Sequence, residues 1–254
     1  MMTTGLLWNP VEGVCPYRCL YCTERFLAIY RGEHVSVLLN KNRLIPLDAD
    51  NIAVSNQLDL FAKTVPDNII EWVFHKIQER PQQTFFFSTK NPERYFQFAE
   101  YLPKNATYCA TIESNRNYPF ISGAPAQSKR LYWLKKIREK LPSIQMEVII
   151  QPILEFDFDK FLSALIVINP NEITISWDLR TLKKKLLMPA RGRELPEPTG
   201  QKAWSLARQL LLKTNIRVYY YPKRTMKDVR MRHRITVDVS NAKRQKEFID
   251  LFTA

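Results

Sequence analysis

Glycine is scarce in this chain, with 6 residues in 254, and no glycines cluster into a loop that could cradle a phosphate chain. Phosphate-binding fingerprints need several glycines close together so that the backbone can approach the ligand. A nucleoside-triphosphatase reading therefore has no support. Histidine is scarcer still: His34, His75 and His233 are scattered, and no nucleophile–base pair can be argued for any of them. Long hydrophobic runs are also missing. The longest, around Leu162 to Ile168, falls far short of the ~20 residues that cross a bilayer, so no membrane association is expected. The first ten residues lack a basic stretch ahead of an apolar one, which argues against a signal peptide. Cysteines number four, three of them within eight residues and the fourth, Cys109, alone. That is no disulfide framework; in a reducing, cytoplasmic setting the pattern favours metal binding.

What is present begins with a sizeable core. Hydrophobic residues make up 45% of the chain and charged residues 25%, ordinary for a globular protein the size of one α/β barrel domain. The net charge of +13 is unevenly placed. Residues 1–180 carry 20 Lys/Arg against 19 Asp/Glu, whereas residues 181–254 carry 18 against 6. A neutral body with one basic end suggests a docking surface for a polyanion. We divide the chain accordingly into a core over 1–180 and a basic C-terminal part over 181–254 that completes the fold and docks substrate or partner.

Short apolar runs alternate with longer helical patterns. The strands expected are Gly5–Trp8, Asn51–Asn56, Thr84–Ser88, Ala106–Ile112, Gln145–Gln151, Glu172–Trp177 and Ile216–Tyr221, most of them continuous enough for a sheet covered on both faces. Between them, Ile69, Ile70, Val73, Phe74 and Ile77 mark a helical stripe behind a cap at Thr64. Tyr95, Phe98 and Leu102 mark a second stripe, then Leu131, Leu134, Ile137 and Leu141, then Phe158, Phe161, Leu162 and Leu165. Further helices are expected over 24–30, 201–213 and 241–252, with 188–200 as a loop. The rhythm reads as βα units around a parallel sheet, giving a partial or near-complete (β/α) barrel with its site at the C-terminal strand ends. A doubly wound sheet would show the same rhythm.

The stretch Cys15-Pro16-Tyr17-Arg18-Cys19-Leu20-Tyr21-Cys22 follows the first strand directly. Three thiolates from one loop can wrap a small cluster, and thiolates are the soft ligands that iron–sulfur clusters take. Three ligands for four irons leave one iron open to a chelating small molecule. A structural zinc site wants four closed ligands, and here the fourth would have to be distant Cys109 or His34.

The cysteine spacing, its place after the first strand and the aromatic Tyr21 before the last cysteine resemble the signature of the radical S-adenosylmethionine (SAM) superfamily. The resemblance is nearest to its spore photoproduct lyase-like branch and to a related group of phage-encoded proteins, and it covers roughly residues 5–180. It implies a [4Fe-4S] cluster on Cys15, Cys19 and Cys22, with SAM on the open iron and an electron donor such as a flavodoxin or ferredoxin. Ser55, Asn56 and Asp59 resemble the segment that holds the SAM amino group, and they offer the acceptors an ammonium needs. Lys90 resembles the lysine that neutralises the SAM carboxylate. Thr111, Glu113, Ser114 and Gln151 stand where ribose, methionyl or adenine contacts are implied. The acidic residue more common in the phage group is absent at Gln151.

Other residues read two ways. Cys109 sits in an apolar strand as a small buried hydrophobe, or as a hydrogen-atom donor to a product radical. Alternation points Tyr219 and Tyr221 to one face, either core or barrel mouth. Lys223, Arg224, Lys227, Arg230, Arg232 and Arg234 fall within twelve residues, with Lys183–Lys185, Arg191 and Arg193 as a second cluster. They form a solvated face or a phosphate-backbone contact. Three functions follow: a radical SAM enzyme acting on nucleic acid for base repair or modification, the same enzyme on a peptide or small metabolite, or a non-catalytic zinc-bound nucleic-acid-binding module. A partner protein is compatible with each.

Overall fold

All seven apolar runs form strands, shorter than expected at one or both ends for six of them. The computed structural model describes residues 6–22, 36–177 and 195–221, together with the backbone of Val237 and Asp238. In chain order the strands are β1 (Leu6–Trp8), β2 (Val11–Glu12), β3 (Leu38–Leu39), β4 (Asn51–Val54), β5 (Thr84–Thr89), β6 (Ala106–Thr111), β7 (Met146–Ile150), β8 (Glu172–Ser176), β9 (Arg217–Tyr221) and β10 (Val237–Asp238). The helices are α1 (Asp67–Gln78), α2 (Glu93–Gln97), α3 (Gln127–Lys140), α4 (Phe158–Ile168) and α5 (Gly200–Lys213). The helices expected over 24–30 and 241–252 lie outside the described residues.

The main sheet runs β1-β4-β5-β6-β7-β8-β9-β10, with every pair parallel except the last. Each strand is added beside the one before it, always on the same side. A doubly wound sheet must reverse direction at a switch point, and this order has none. Right-handed crossovers taken in one direction leave all helices on one face, so the sheet is that of an open, partial barrel. The short β10, antiparallel to β9, was not anticipated. Among the described residues no helix is long and apolar enough to cross a membrane.

Aromatic side chains bind the helical layer to the sheet. Phe85 and Phe87 of β5 are fully buried on the helix side, where Phe87 meets Phe61 at 5.4 Å and Phe74 of α1 at 5.7 Å, both edge-to-face. Tyr95 of α2 meets Tyr108 of β6 at 5.1 Å in the same way. At the far end Trp204 of α5 packs on Tyr220 of β9. Burial of this kind stabilises by roughly 1.5–3 kcal/mol per large side chain. Alternation then points the partners Phe86, Cys109, Glu147, Thr174 and Tyr219 to the opposite, inner face.

Two helix expectations need correction. Thr64 is exposed and does not cap α1; Pro66, in extended backbone with no side-chain cap bond, precedes the helix. Proline's fixed φ sets the break there, and the first turn carries Asp67 in place of a side-chain cap. Of the stripe Tyr95, Phe98 and Leu102, only Tyr95 lies within the short helix α2, which is capped at Phe98 and continues as turns to Tyr101.

Candidate functional site

The cysteine loop leaves β1 at the C-terminal edge of the sheet and lies over the ends of the strands that follow. Its outline is fixed by backbone bonds to the segment after β6: Leu20 N–H donates to Ile121 at 2.9 Å and Gly123 N–H to Tyr17 at 2.7 Å. Cys22 N–H turns back to Cys19. Residues alternate along the loop. Tyr17, Cys19 and Tyr21 are buried, whereas Arg18 and Leu20 are exposed. Outside the loop a groove of about 470 Å³ is lined by Val14, Pro16, Arg18, Ser36, Val37 and Thr64.

All four cysteines are free thiols. Burial, with Asp59's carboxylate second, pushes the Cys15 thiol up to about 11, while backbone N–H groups of Asp59 and Tyr17 pull the other way. Those two donors face the sulfur that a metal would hold as thiolate. Among the described residues no three Cys, His, Asp or Glu side chains converge on a single ion. In a four-iron cluster each cysteine takes a different iron, so its sulfurs stand apart.

The strand ends supply the polar floor. Asp59 accepts from Phe61 N–H at 3.0 Å and Thr89 Oγ1 at 2.7 Å on one oxygen, and from Lys90 N–H at 2.7 Å on the other. Burial raises its pKa against these donors. Lys90 Nζ lies 5.5 Å from the Tyr21 ring centroid. Ser55 adopts a left-handed φ of 53°, its hydroxyl buried and without a partner in the chain. Asn56 is exposed, its backbone N–H held by Asn9 Oδ1 at 2.9 Å. Cys15, Asp59, Lys90 and Tyr21 thus share one region.

Glu113 and its neighbours turn inward. Glu113 and Arg130 are 0% and 1% exposed and pair at 2.8 Å. Gln127 Nε2 donates to the same Glu113 oxygen at 3.3 Å, and the Tyr21 hydroxyl donates to the other. Burial works to raise Glu113, but the Arg130 guanidinium, with Lys90 and the Tyr21 hydroxyl, outweighs it and holds the carboxyl below its usual range. Arg130 also donates to the Thr111 carbonyl at 3.0 Å. Ser114 Oγ bonds the Glu155 carbonyl at 2.7 Å and accepts from Arg116 N–H. Glu113 and Ser114 therefore brace the loop, with both Glu113 oxygens already engaged. Gln151 is half-buried at the end of β7.

Arg130 and Tyr17 were missed in the sequence. The buried stripe of α3 is Gln127, Arg130, Leu134 and Ile137, so an arginine spaced onto an apolar stripe was the available signal. Deeper on the inner face, Cys109 Sγ donates to Glu147 Oε2 at 3.3 Å and Thr174 Oγ1 to Glu147 Oε1 at 2.8 Å. Phe86, Thr107, Glu147, Glu172, Arg217 and Tyr219 line a cavity of about 280 Å³ there. Tyr221 shares the parity of Tyr219 and is half-buried. His34 and the six basic residues from Lys223 to Arg234 lie outside the described residues, as do Lys183–Lys185, Arg191 and Arg193.

No protein-family model matches the chain, and no curated protein sequence is similar to it. Solved structures do match. A cysteine-to-serine variant of spore photoproduct lyase superposes over 87% of this chain and 78% of that one, with a TM-score of 0.56 at 11% identity. The fold is that of spore photoproduct lyase. A tyrosine-to-phenylalanine variant of that lyase covers 84% and 76% of the two chains, with a TM-score of 0.53 at 12% identity. A third structure of the lyase, with AdoMet and a dinucleoside spore photoproduct bound, covers 97% and 73% with a TM-score of 0.50 at 11% identity.

Proposed function

We propose that this chain is a radical SAM enzyme acting on nucleic acid. The observation that carries the reading is the loop of three cysteines standing directly over Asp59, Lys90 and Ser55 at the C-terminal edge of a singly wound parallel sheet. The donor set fits the group. Cys15, Cys19 and Cys22 would hold a [4Fe-4S] cluster, with backbone N–H donors at Cys15 stabilising the thiolate. Ser55 offers a buried hydroxyl that the chain itself leaves without a partner. Asp59, with three bonds in place, retains acceptor capacity for an ammonium, and Lys90 supplies the opposite charge for a carboxylate. Asn56, Thr111 and Gln151, at or just after the ends of β4, β6 and β7, are the further candidates for SAM contacts.

When bound and reduced by an electron donor, the cluster and SAM supply a 5′-deoxyadenosyl radical that abstracts hydrogen from substrate; the protein orients the pair and excludes side reactions. Lys90 and Asp59 fix the two ends of the amino-acid moiety. Cys109, with burial first and Glu147 second raising its thiol well above the ordinary range, keeps its S–H hydrogen. Its position on the inner face, with Tyr219 and Tyr221, supports reading it as the donor of that hydrogen atom to a product radical; the sulfur radical left behind would then take one electron from the electron donor and one proton to restore the thiol.

Nucleic acid as substrate is supported by charge and by where the chain leaves the sheet. Trp177 follows β8 and Tyr221 ends β9, both at the C-terminal edge, and Val237 pairs with Tyr220. Pro196 accepts from Glu155 N–H, after β7, at 2.6 Å. The intervening sequences 178–194 and 222–236 each hold six Lys/Arg, and the described residues that flank them, Trp177, Tyr221 and Val237, lie toward the same end of the sheet as the cysteine loop. Phosphate contacts from Lys223, Arg224, Lys227, Arg230, Arg232 and Arg234 would give affinity that falls steeply with salt.

The test is anaerobic iron–sulfur reconstitution followed by detection of 5′-deoxyadenosine with DNA and with RNA. Iron and sulfide should bind to the wild type and be lost on replacing any of Cys15, Cys19 or Cys22 by Ala. One zinc without iron would overturn the enzyme reading. Unchanged nucleic-acid affinity after joint replacement of Lys223, Arg224 and Arg230 would overturn the docking assignment.

A further inference from the structure

Tyr17 lies between the first two cysteines and is 5% exposed. Its backbone is fully used: the carbonyl accepts from Gly123 N–H, and its own N–H faces the Cys15 sulfur. Its hydroxyl has no hydrogen-bond partner. Asp59, Cys15, Arg130 and Cys19 all lie within electrostatic reach of it, so the buried ring sits among residues of the cysteine loop and the strand ends. Tyr21, four residues on, has the opposite arrangement, with its hydroxyl committed to Glu113.

A buried phenol with no acceptor is worse than phenylalanine, which fills nearly the same volume without stranding a polar oxygen. The oxygen of Tyr17 therefore calls for a partner that the described residues do not provide. Asp59, the strongest of the charges acting on it, already takes three hydrogen bonds, and the acceptor that metallation of the neighbouring cysteines would add is sulfur. We propose that the Tyr17 hydroxyl donates a hydrogen bond to a sulfur of the cluster held by Cys15, Cys19 and Cys22, and by doing so raises the cluster's reduction potential. Such a bond favours the reduced state, which carries one more negative charge, over the oxidised one. The inference rests on the cluster reading above and adds to it a residue that tunes how readily the cluster accepts its electron.

The experiment compares full-length wild type and Tyr17→Phe, both reconstituted anaerobically, by iron and sulfide content and by an electron-paramagnetic-resonance redox titration. Tyr17→Phe should keep its iron, while its one-electron reduction constant falls about tenfold, equivalent to 59 mV. An exchangeable-deuteron coupling in the reduced wild-type cluster should disappear with the hydroxyl. An unchanged midpoint with intact iron would overturn the proposal. Were Tyr17→Phe to lose the cluster altogether, fluorotyrosines at position 17 decide the matter, since they keep the ring and strengthen the donor. The potential should then climb with phenol acidity, and a flat series overturns the proposal. A wild type that takes up no iron at all fails at the earlier step, and so removes the cluster reading itself.

Discussion

On the inner side of this barrel two carboxylates are treated oppositely, Glu113, fully buried at the mouth, and Glu147, half-buried deeper along the sheet. Glu113 meets a guanidinium, an amide and a phenol, and its carboxyl is held below the ordinary range. Among the described residues Glu147 meets a hydroxyl and a thiol, with Glu172 nearby, and burial raises its pKa. The first is a fixed charge used as a brace; the second leans toward keeping its proton. The contrast separates the part of the cavity built to hold a loop in place from the part left adaptable.

The sharpest way to break that contrast is to remove the cation at the mouth. Arg130→Met leaves Glu113 buried and uncompensated, and breaking such a pair from one side is expected to destabilise the full chain by about 3–5 kcal/mol. Chemical denaturation measures it. The double variant Glu113→Gln with Arg130→Met should regain much of that loss, because no lone charge remains. The pH dependence follows from the depressed folded pKa. The stability due to Glu113 is present above its unfolded value, about 4.3, and vanishes as pH falls through the lower folded value. The gap between wild type and the double variant should therefore shrink only in that acidic window. A gap that is flat there would mean that Glu113 is not the charge being held.

Tyr21→Phe probes the same brace with a smaller cut. A hydrogen bond to a charged group contributes roughly 1.5–3 kcal/mol, and the ring beneath Lys90 is retained. The loss should be smaller than that of Arg130→Met, and the two should couple in a double-variant cycle, since both act on Glu113. Additive losses would separate the loop from the brace.

Much of this fold was legible because its signals are periodic. Seven apolar runs became seven strands, and the stripes of Ile69, Ile70, Val73, Phe74 and Ile77, and of Phe161, Leu162 and Leu165, became buried helix faces. Strand order was not legible, since winding direction leaves no trace in a βα rhythm. At the site, the cysteine loop stood out by its spacing after a strand, and Asp59 and Lys90 by their resemblance to the radical SAM pattern; the structure puts Asp59 beside both Cys15 and Lys90. The inward turn of Glu113 could not be read in this way, because its partner Arg130 comes from a helix 17 residues on. A polar residue after a strand looks the same in sequence whether it faces a ligand or the protein interior.

Glu147→Gln tests the deeper carboxylate, with the opposite sign and the smallest effect. An acid whose folded pKa is raised disfavours folding above that pKa and contributes nothing below its unfolded value. The neutral amide keeps the shape and can still accept from Thr174. It should therefore stabilise the chain at pH 8, by about 0.5–1 kcal/mol, the scale of one net hydrogen bond. The gain should fade as the pH drops below the ordinary carboxylate range, where wild-type Glu147 is protonated as well. Thermal or denaturant unfolding of both proteins across pH 4–8 measures the curve. A loss of stability at pH 8 would mean that Glu147 is held as a charge after all, and the two carboxylates would then be alike.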